Sequence, residues 1–295
     1  MGLIHVRDVT RSHSALIPSL FPDARDVKAT PALYAAFDTP DGAQPAGFAL
    51  LCSPTGAEHP CFRFAVVVAE HARRRGIGAA LTQHVADTAR TLRAPSLRPL
   101  VPVMSDGGHQ LMARAGFKQL RRTLVFEFSL AASLKVMDAQ LMQLEHAGRV
   151  PAGISSDPYR DNQAHDLSAM CQRSFGMLTH GHLEAMGEYP APGADLSHAR
   201  AFRLDGTLIG AWGVVVRAGT AVFDPLLIAE DKRSTWAFPF VTATVLRTLV
   251  AGGVTHGLAK IHEDNRKMIA VMGRFGTEVT GVDTLYELAL AGDPA

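Results

Sequence analysis

Cysteine is scarce. Cys52, Cys61 and Cys171 are the only three in 295 residues. None stands in a CxxC pair or at zinc-ligand spacing from histidines, which excludes a disulfide scaffold and a zinc finger or ribbon. His180 and His182 in "THGH" lack a third ligand, so no metal is expected. Net charge is also nearly absent, 29 basic residues against 28 acidic. That balance argues against a nucleic-acid binder, whose domain carries a basic face; the short run "ARRR" has no interleaved aromatics. No stretch of about 18 uncharged apolar residues occurs, so no membrane span is expected. The opening "MGLIHVRDVT" has no apolar signal core and no Ser or Thr at the sixth position. A cytoplasmic protein that works without a membrane or a nucleic acid is the expectation.

What the chain does have is alternation. "LIHVRDV", "ALYAAFDTPDG" with "PAGFALLCSP", "CFRFAVVVA", "SLRPLVPVM" and "LRRTLVFEFSL" read as strands, with a hairpin turn at Asp41-Gly42. Ile77, Ala80, Leu81, Val85, Ala89 and Leu92 recur at helical spacing, and "GGHQLMARAGF" is a short helix closed by Gly116. Residues 131–147 read as a further helix, ended by Gly148 and Pro151. The second half repeats the order: a strand "GISSDPYR", helices "DLSAMCQRSF" and "HLEAMGEY", a hairpin turning at Asp205-Gly206, then strand, helix, strand, helix and the strand "TLYELAL". The expected class is α/β with mixed sheets, in two domains: 1–130, a helical linker 131–150, and 151–295.

The halves overlay without a gap over their central parts. "VVVAEHARRRGIG" falls on "LLIAEDKRSTWAF" at an offset of 160 residues, so that Glu70 meets Glu230, Arg73 meets Arg233 and Met112 meets Met272. A register held over such a length reads as an internal duplication.

The stretch "AEHARRRGIGAAL" places two glycines and three arginines between a strand and a helix. Free N–H groups and the helix dipole make such a junction an anion site, and glycine lets a diphosphate approach the backbone. The chain has no GxxxxGK[ST], and Gly76-Ile77-Gly78 lacks the third glycine of GxGxxG, so a P-loop and a dinucleotide fingerprint are both excluded. The pattern Arg-x-x-Gly-x-Gly after the β run resembles the acetyl-CoA signature of the GNAT superfamily of N-acetyltransferases, and "LMARAGF" resembles that family's later helix. The resemblance covers most of residues 1–130 and, more faintly, 151–295. It implies tandem GNAT-like domains. It also implies that Arg73, Arg74, Arg75, Gly76, Ile77, Gly78 and Ala79 hold the CoA diphosphate, that the backbone of Val66, Val67 and Val68 bonds the pantetheine arm and polarises the thioester, and that Ser105 lies near that arm. Pro99 and Pro102 interrupt one strand; proline cannot donate to a ladder, so this strand is either a ragged edge or the splayed one that admits CoA in the family.

The second half departs at the loop, where Trp236 and Phe238 replace Gly76 and Gly78. Two rings there leave no room for a diphosphate, so one CoA per chain is expected, and the second domain is expected to be degenerate. Trp236, Phe238 and Phe240 are expected in core or interdomain packing. No catalytic residue can be named. The position where many relatives carry a proton-donating tyrosine holds Met112, and no acid lies on "CFRFAVVVA". Glu70 caps the strand or faces solvent, Asp224 lies in the half without the loop, Ser105 is a helix cap or a pantetheine contact, and His109 is a surface histidine within reach of the same region. The expected activity is transfer of an acetyl group from acetyl-CoA to a primary amine of a small molecule or peptide, by a monomer or homodimer. The alternative is a non-catalytic CoA-binding or regulatory protein.

Overall fold

In the computed structural model, residues 4–21, 31–37, 44–53, 61–158, 200–233 and 235–290 are described. The Asp41-Gly42 turn, the two expected helices at 166–175 and 182–189, Cys171, His180 and His182 lie outside them, as does the side chain of Asp224.

The chain forms two compact units. Unit 1 comprises residues 1–122 and 283–295. Its strands are β1 (His5–Asp8), β2 (Pro31–Phe37), β3 (Gly47–Cys52), β4 (Phe62–Val68) and β5 (Ser96–Pro99). Its helices are α1 (Thr10–His13), α2 (Ile17–Leu20), α3 (Ile77–Thr91) and α4 (Asp106–Arg114). β1 to β4 pair antiparallel in order, and β5 joins β4 in parallel. Alternation sorts each strand onto two faces. Tyr34 and Ala36 of β2 join Phe64, Leu97 and the inward face of α3, namely Ile77, Leu81, Val85 and Ala89. Leu33 and Ala35 face the other way and pack with Leu50 and Phe21.

Unit 2 comprises residues 123–282. β7 (Ile154–Pro158), β8 (Arg200–Leu204), β9 (Thr207–Arg217) and β10 (Thr220–Ile228) pair antiparallel in sequence, and β11 (His256–His262) runs parallel to β10. The β8–β9 turn is at Asp205-Gly206, both with positive φ, as a two-residue hairpin of this kind requires. Among its described residues the unit also has helices α5 (Leu130–His146), α6 (Ala237–Ala251) and α7 (Arg266–Arg274).

The duplication is visible element by element. α3 and α6 begin at 77 and 237, α4 and α7 at 106 and 266, and two long strands, β6 (Lys118–Ser129) and β12 (Glu278–Ala289), at 118 and 278. Each pair is separated by the same 160 residues.

The unit boundaries fall inside β6 and β12, not at 130 and 150. Residues 123–129 of β6 pair with β11 in unit 2, whereas the end of β12 pairs antiparallel with β5 in unit 1, Leu288 opposite Leu97 and Ala289 opposite Ser96. Each unit therefore takes its closing strand from the other half of the sequence. Arg98 holds the incoming strand through Glu287, with Nε and Nη2 both 2.8 Å from Oε1. The stretch read as a linker is α5, which is no spacer: Leu130, Ser133, Met137 and Leu141 recur every three or four residues and are buried in unit 2, where α5 packs on α6. A single cut in the exposed turn around Gly148 is accordingly expected to leave the two fragments associated in native size-exclusion chromatography, because unit 1 contains strands from both. Separation into two independent species would contradict the exchange.

Candidate functional site

The site begins where β5 leaves β4. Their parallel pairing runs from Phe62–Leu97 to Phe64–Pro99, and the last bond is the Leu100 N–H donating to Phe64 O at 2.6 Å. Pro99 and Pro102 bring no N–H, and the chain turns away to a bridge between Val103 and Thr284, with N···O distances of 2.8 and 3.0 Å. The proline-bearing strand thus splays rather than fraying at an edge. Because backbone direction alternates along a strand, Val66 and Val68 present their N–H and C=O groups to the same side as Phe64, into the opening. Val67 lies between them with its backbone turned to Phe48 of β3, and its side chain is 37% exposed.

β4 ends in a short turn, Glu70–Ala72, in which Glu70 is exposed. Arg74 at φ 64° and Gly76 at φ 87° then bend the chain left-handedly into α3. The glycine adopts this without strain, whereas Arg74 holds an uncommon conformation of the kind found where a loop must present its N–H groups. Gly76 is the N-cap residue and no side chain caps α3. α4, α5 and α7, by contrast, have Ser105, Ser129 and Asn265 accepting from Gly108, Ala132 and Met268 N–H. The first-turn N–H groups of Ile77, Gly78 and Ala79 lie at the positive end of the helix dipole with no side-chain cap. Arg73 is fixed by Nε donating to Val68 O at 3.4 Å, and Arg74 reaches α4, Nη1 donating to Gln110 Oε1 at 3.3 Å. Arg75 is exposed. A Cβ at Gly78 would lie 3.6 Å from both Val68 Cγ2 and Leu111 Cδ2. The glycine is therefore not demanded by internal packing. Ser105 Oγ is 3.2 Å from Gly108 N and acts as the α4 cap.

The sequence reading missed one pair. His109 Nδ1 on α4 is 3.0 Å from the hydroxyl of Tyr286, which arrives on the exchanged strand 177 residues away. Tyr286 is 9% exposed and belongs to the same apolar cluster that Val66 and Val68 pack against. Met112, by contrast, is 4% exposed and points into that core. Among the described residues the two cysteines, Cys52 and Cys61, are held as thiols. Burial pushes the Cys52 thiol up to about 11 and raises Cys61 as well. Since the folded Cys52 value exceeds the ordinary one near 9, its contribution to stability is whole below pH 9 and is lost as pH rises towards 11, by at most about 1.4 kcal/mol per pH unit. Native protein at pH 8 is expected to leave Cys52 unalkylated by iodoacetamide in peptide mass mapping, with rapid labelling only after denaturation.

The corresponding place in unit 2 is closed. Thr235 Oγ1 accepts from Ala237 N–H at 3.4 Å, Trp236 is 7% exposed, and its ring meets Phe240 edge-on at 6.0 Å. Among the described residues no group of three potential metal ligands occurs, and no helix is long and apolar enough to cross a membrane.

Residues 8–117 match the family model of the Acetyltransferase (GNAT) family. No curated protein matches the chain. Its fold is shared by solved structures, of which three follow. A tandem GNAT protein from the clavulanic acid biosynthesis pathway is 16% identical with TM-score 0.67, covering 99% of this chain and 100% of its own. A GCN5-related N-acetyltransferase from Sphaerobacter thermophilus is 14% identical with TM-score 0.65, covering 98% and 96%. A glucosamine N-acetyltransferase region of a fungal multi-domain β-N-acetylglucosaminidase is 13% identical with TM-score 0.69; there the match covers 98% of this chain but 38% of the larger protein.

Proposed function

From a chain that carries a GNAT acetyltransferase domain over residues 8–117 and has the tandem GNAT fold along its length, we propose an N-acetyltransferase: it moves the acetyl group of acetyl-CoA to a primary amine of a small molecule or peptide. The observation that carries this reading is the opening along Val66–Val68 meeting the uncapped start of α3 through the left-handed turn at Arg74 and Gly76. One surface offers an elongated molecule both backbone donors and an anion cradle.

The N–H groups of Ile77, Gly78 and Ala79, with Arg73, Arg74 and Arg75 around them, hold the diphosphate. The N–H groups of Val66 and Val68 orient the arm and polarise its carbonyl. Acetyl-CoA supplies a thioester, whose acyl group an uncharged amine attacks. The chain contributes positioning, which by itself supplies several kcal/mol, and a proton for the departing thiolate. With Nδ1 protonated, His109 donates to the Tyr286 oxygen and fixes that hydroxyl, which leaves the Tyr286 O–H proton for the departing thiolate, the acid role for which Met112 is unfit. Ser105 is a cap that shapes α4. The acceptor is an uncharged small or peptidic amine, and the protein works as a monomer or homodimer in the cytoplasm.

Free-thiol release from acetyl-CoA across a panel of primary amines tests the activity, and calorimetry is expected to give one CoA per chain. Tyr286→Phe keeps the buried ring and removes only the hydroxyl. It is expected to lower kcat by at least about a hundredfold, the lower range for a general acid, at unchanged CoA affinity. Equal kcat would remove Tyr286 from the mechanism. Tight CoA binding with no amine-dependent thiol release would favour a non-catalytic CoA-binding protein.

A further inference from the structure

Within unit 2, β10 and β11 part beyond the pair Phe223–Ala259, and β10 carries a β-bulge between Phe223 and Leu226. A cavity of about 220 Å³ opens there, bordered also by residues of α6 and α7. A void of this size costs stability, since interiors are close-packed. Phe238, expected in core or interdomain packing, is one of its walls, while Trp236 packs in the core.

The accessible lining is apolar. Leu226, Phe238, Ala259, Met268 and Phe275 border the cavity, and all five are only partly buried. Buried rings stand behind them. Phe128 stacks on Phe223 with centroids 5.4 Å apart, Trp212 meets Phe223 at 5.0 Å, and Phe275 lies 6.2 Å from Phe128. Such walls offer a further ring the offset and edge-on contacts that aromatic pairs prefer. The thioethers of Met268 and Met272 adapt to the edge of a ring.

The polar residues that border the cavity are engaged elsewhere. His262 Nδ1 is turned to Asp264, 3.2 Å from its backbone N and 3.5 Å from Oδ2. Asn265 Oδ1 accepts from Met268 N–H at 3.2 Å as the α7 cap. Lys260 is exposed, and alternation along β11 puts it on the face opposite Ala259 and Ile261. Trp212 Nε1 and Thr242 Oγ1 are buried away from the open space. An ion entering the cavity would leave water and meet no counter-charge among the described residues, which is costly. The volume exceeds the roughly 150 Å³ that accommodates a benzene ring and falls short of the roughly 300 Å³ of drug-sized sites. Coenzyme A does not fit, because α6 starts with a side-chain bond from Thr235 and the buried indole of Trp236.

We propose that unit 2 binds a neutral small molecule with a single aromatic ring. The ring lies between the partly exposed walls of β10, β11, α6 and α7, and its substituents carry no charge.

Benzyl alcohol titrated into the full chain by calorimetry tests this. One saturable site per chain is expected. Benzoate and benzylammonium, its anionic and cationic counterparts, are expected to bind at least about tenfold more weakly, because neither charge is met inside. Cyclohexylmethanol, the saturated counterpart, is expected to bind at least about threefold more weakly, because it lacks the ring contacts. The chain has two tryptophans, and only Trp212 borders the cavity. Binding is therefore expected to change the tryptophan emission of the wild type and to leave that of Trp212→Phe unchanged. Ala259→Leu fills the cavity from β11 and is expected to abolish binding with the circular dichroism of the folded chain retained. Should it fail to fold, Met268→Trp fills the space from the partly exposed face of α7 with the same expected loss. No saturable binding at millimolar benzyl alcohol overturns the proposal, as does unchanged affinity in the folded filling variants. Equal affinity for either ion or for cyclohexylmethanol overturns the neutral aromatic class. Displacement of benzyl alcohol by CoA also overturns the proposal, since that would place the ring in the unit 1 opening.

Discussion

A chain carrying Gly78→Phe is expected to bind CoA at least a hundredfold more weakly than the wild type while keeping its fold. Alanine at 78 would place Cβ 3.6 Å from Val68 Cγ2 and Leu111 Cδ2, an ordinary contact, so Gly78→Ala is a control that folds without strain. A phenyl ring is larger than that pocket between β4 and α4 and must extend over the first turn of α3, covering N–H groups that no side chain caps. Each charge-assisted hydrogen bond to a phosphate is worth about 1.5–3 kcal/mol. Losing two is therefore worth a factor of a hundred or more, at about 1.4 kcal/mol per decade. The fold has a precedent inside the same chain: α6 starts at the equivalent turn with Phe238 in that position. Calorimetry with CoA and far-ultraviolet circular dichroism are the two readouts. A folded variant that binds CoA like the wild type would place the diphosphate elsewhere and remove the basis for the proposed activity.

Ending the chain at Val282 is expected to be more drastic, because it removes a strand from the core of unit 1 and leaves every residue of unit 2 in place. Thr284 and Tyr286 are buried, Leu288 packs beside them, and Arg98 loses Glu287. Burying one large apolar side chain contributes about 1.5–3 kcal/mol, so the two lost here approach the lower end of a whole domain's stability, about 5–15 kcal/mol. The half-buried ion pair adds less than the apolar side chains. The truncated chain is expected to lose CoA binding altogether and to keep one cooperative calorimetric transition, that of unit 2. A peptide spanning 278–290 added in trans is expected to restore part of the CoA binding. Wild-type affinity in the truncated chain would mean that unit 1 closes without this strand.

Much of the scaffold was legible because its signals are local. Glycine punctuation and 3.6-residue periodicity located α3 and α4, and the 160-residue register carried them onto α6 and α7. The opening beside β4 was readable from Pro99 and Pro102, since a missing N–H is a property of the residue itself. The strand exchange was not readable. β6 and β12 carry the same pattern at the same offset, so either sequence satisfies either slot, and only pairing across the chain decides. For the same reason the boundaries read at 130 and 150 differ from the edges of the two compact units, and α5 looked like a spacer although its buried stripe packs in unit 2. His109 looked like a solvated histidine because its partner, Tyr286, arrives on that exchanged strand. At Trp236 and Phe238 the loss of the glycines corresponds to a helix start filled by a buried indole ring. It carried no hint that a pocket opens nearby in unit 2, because a pocket depends on how side chains from several distant elements pack.

The pairing of β5 with the far end of β12 also sets a clock on biosynthesis. Arg98 and Glu287 are 189 residues apart, and ribosomes add about 5–20 residues per second. The N-terminal unit, although made first, waits on the order of ten to forty seconds for the strand that completes it. During that wait its β5 edge and apolar face are exposed to any neighbouring nascent chain, and β6 is the segment best matched to that edge by sequence. The half of the molecule that emerges first is therefore the half that finishes last, and a ribosome stalled before residue 283 releases an N-terminal unit with no closing strand from its own C-terminal end.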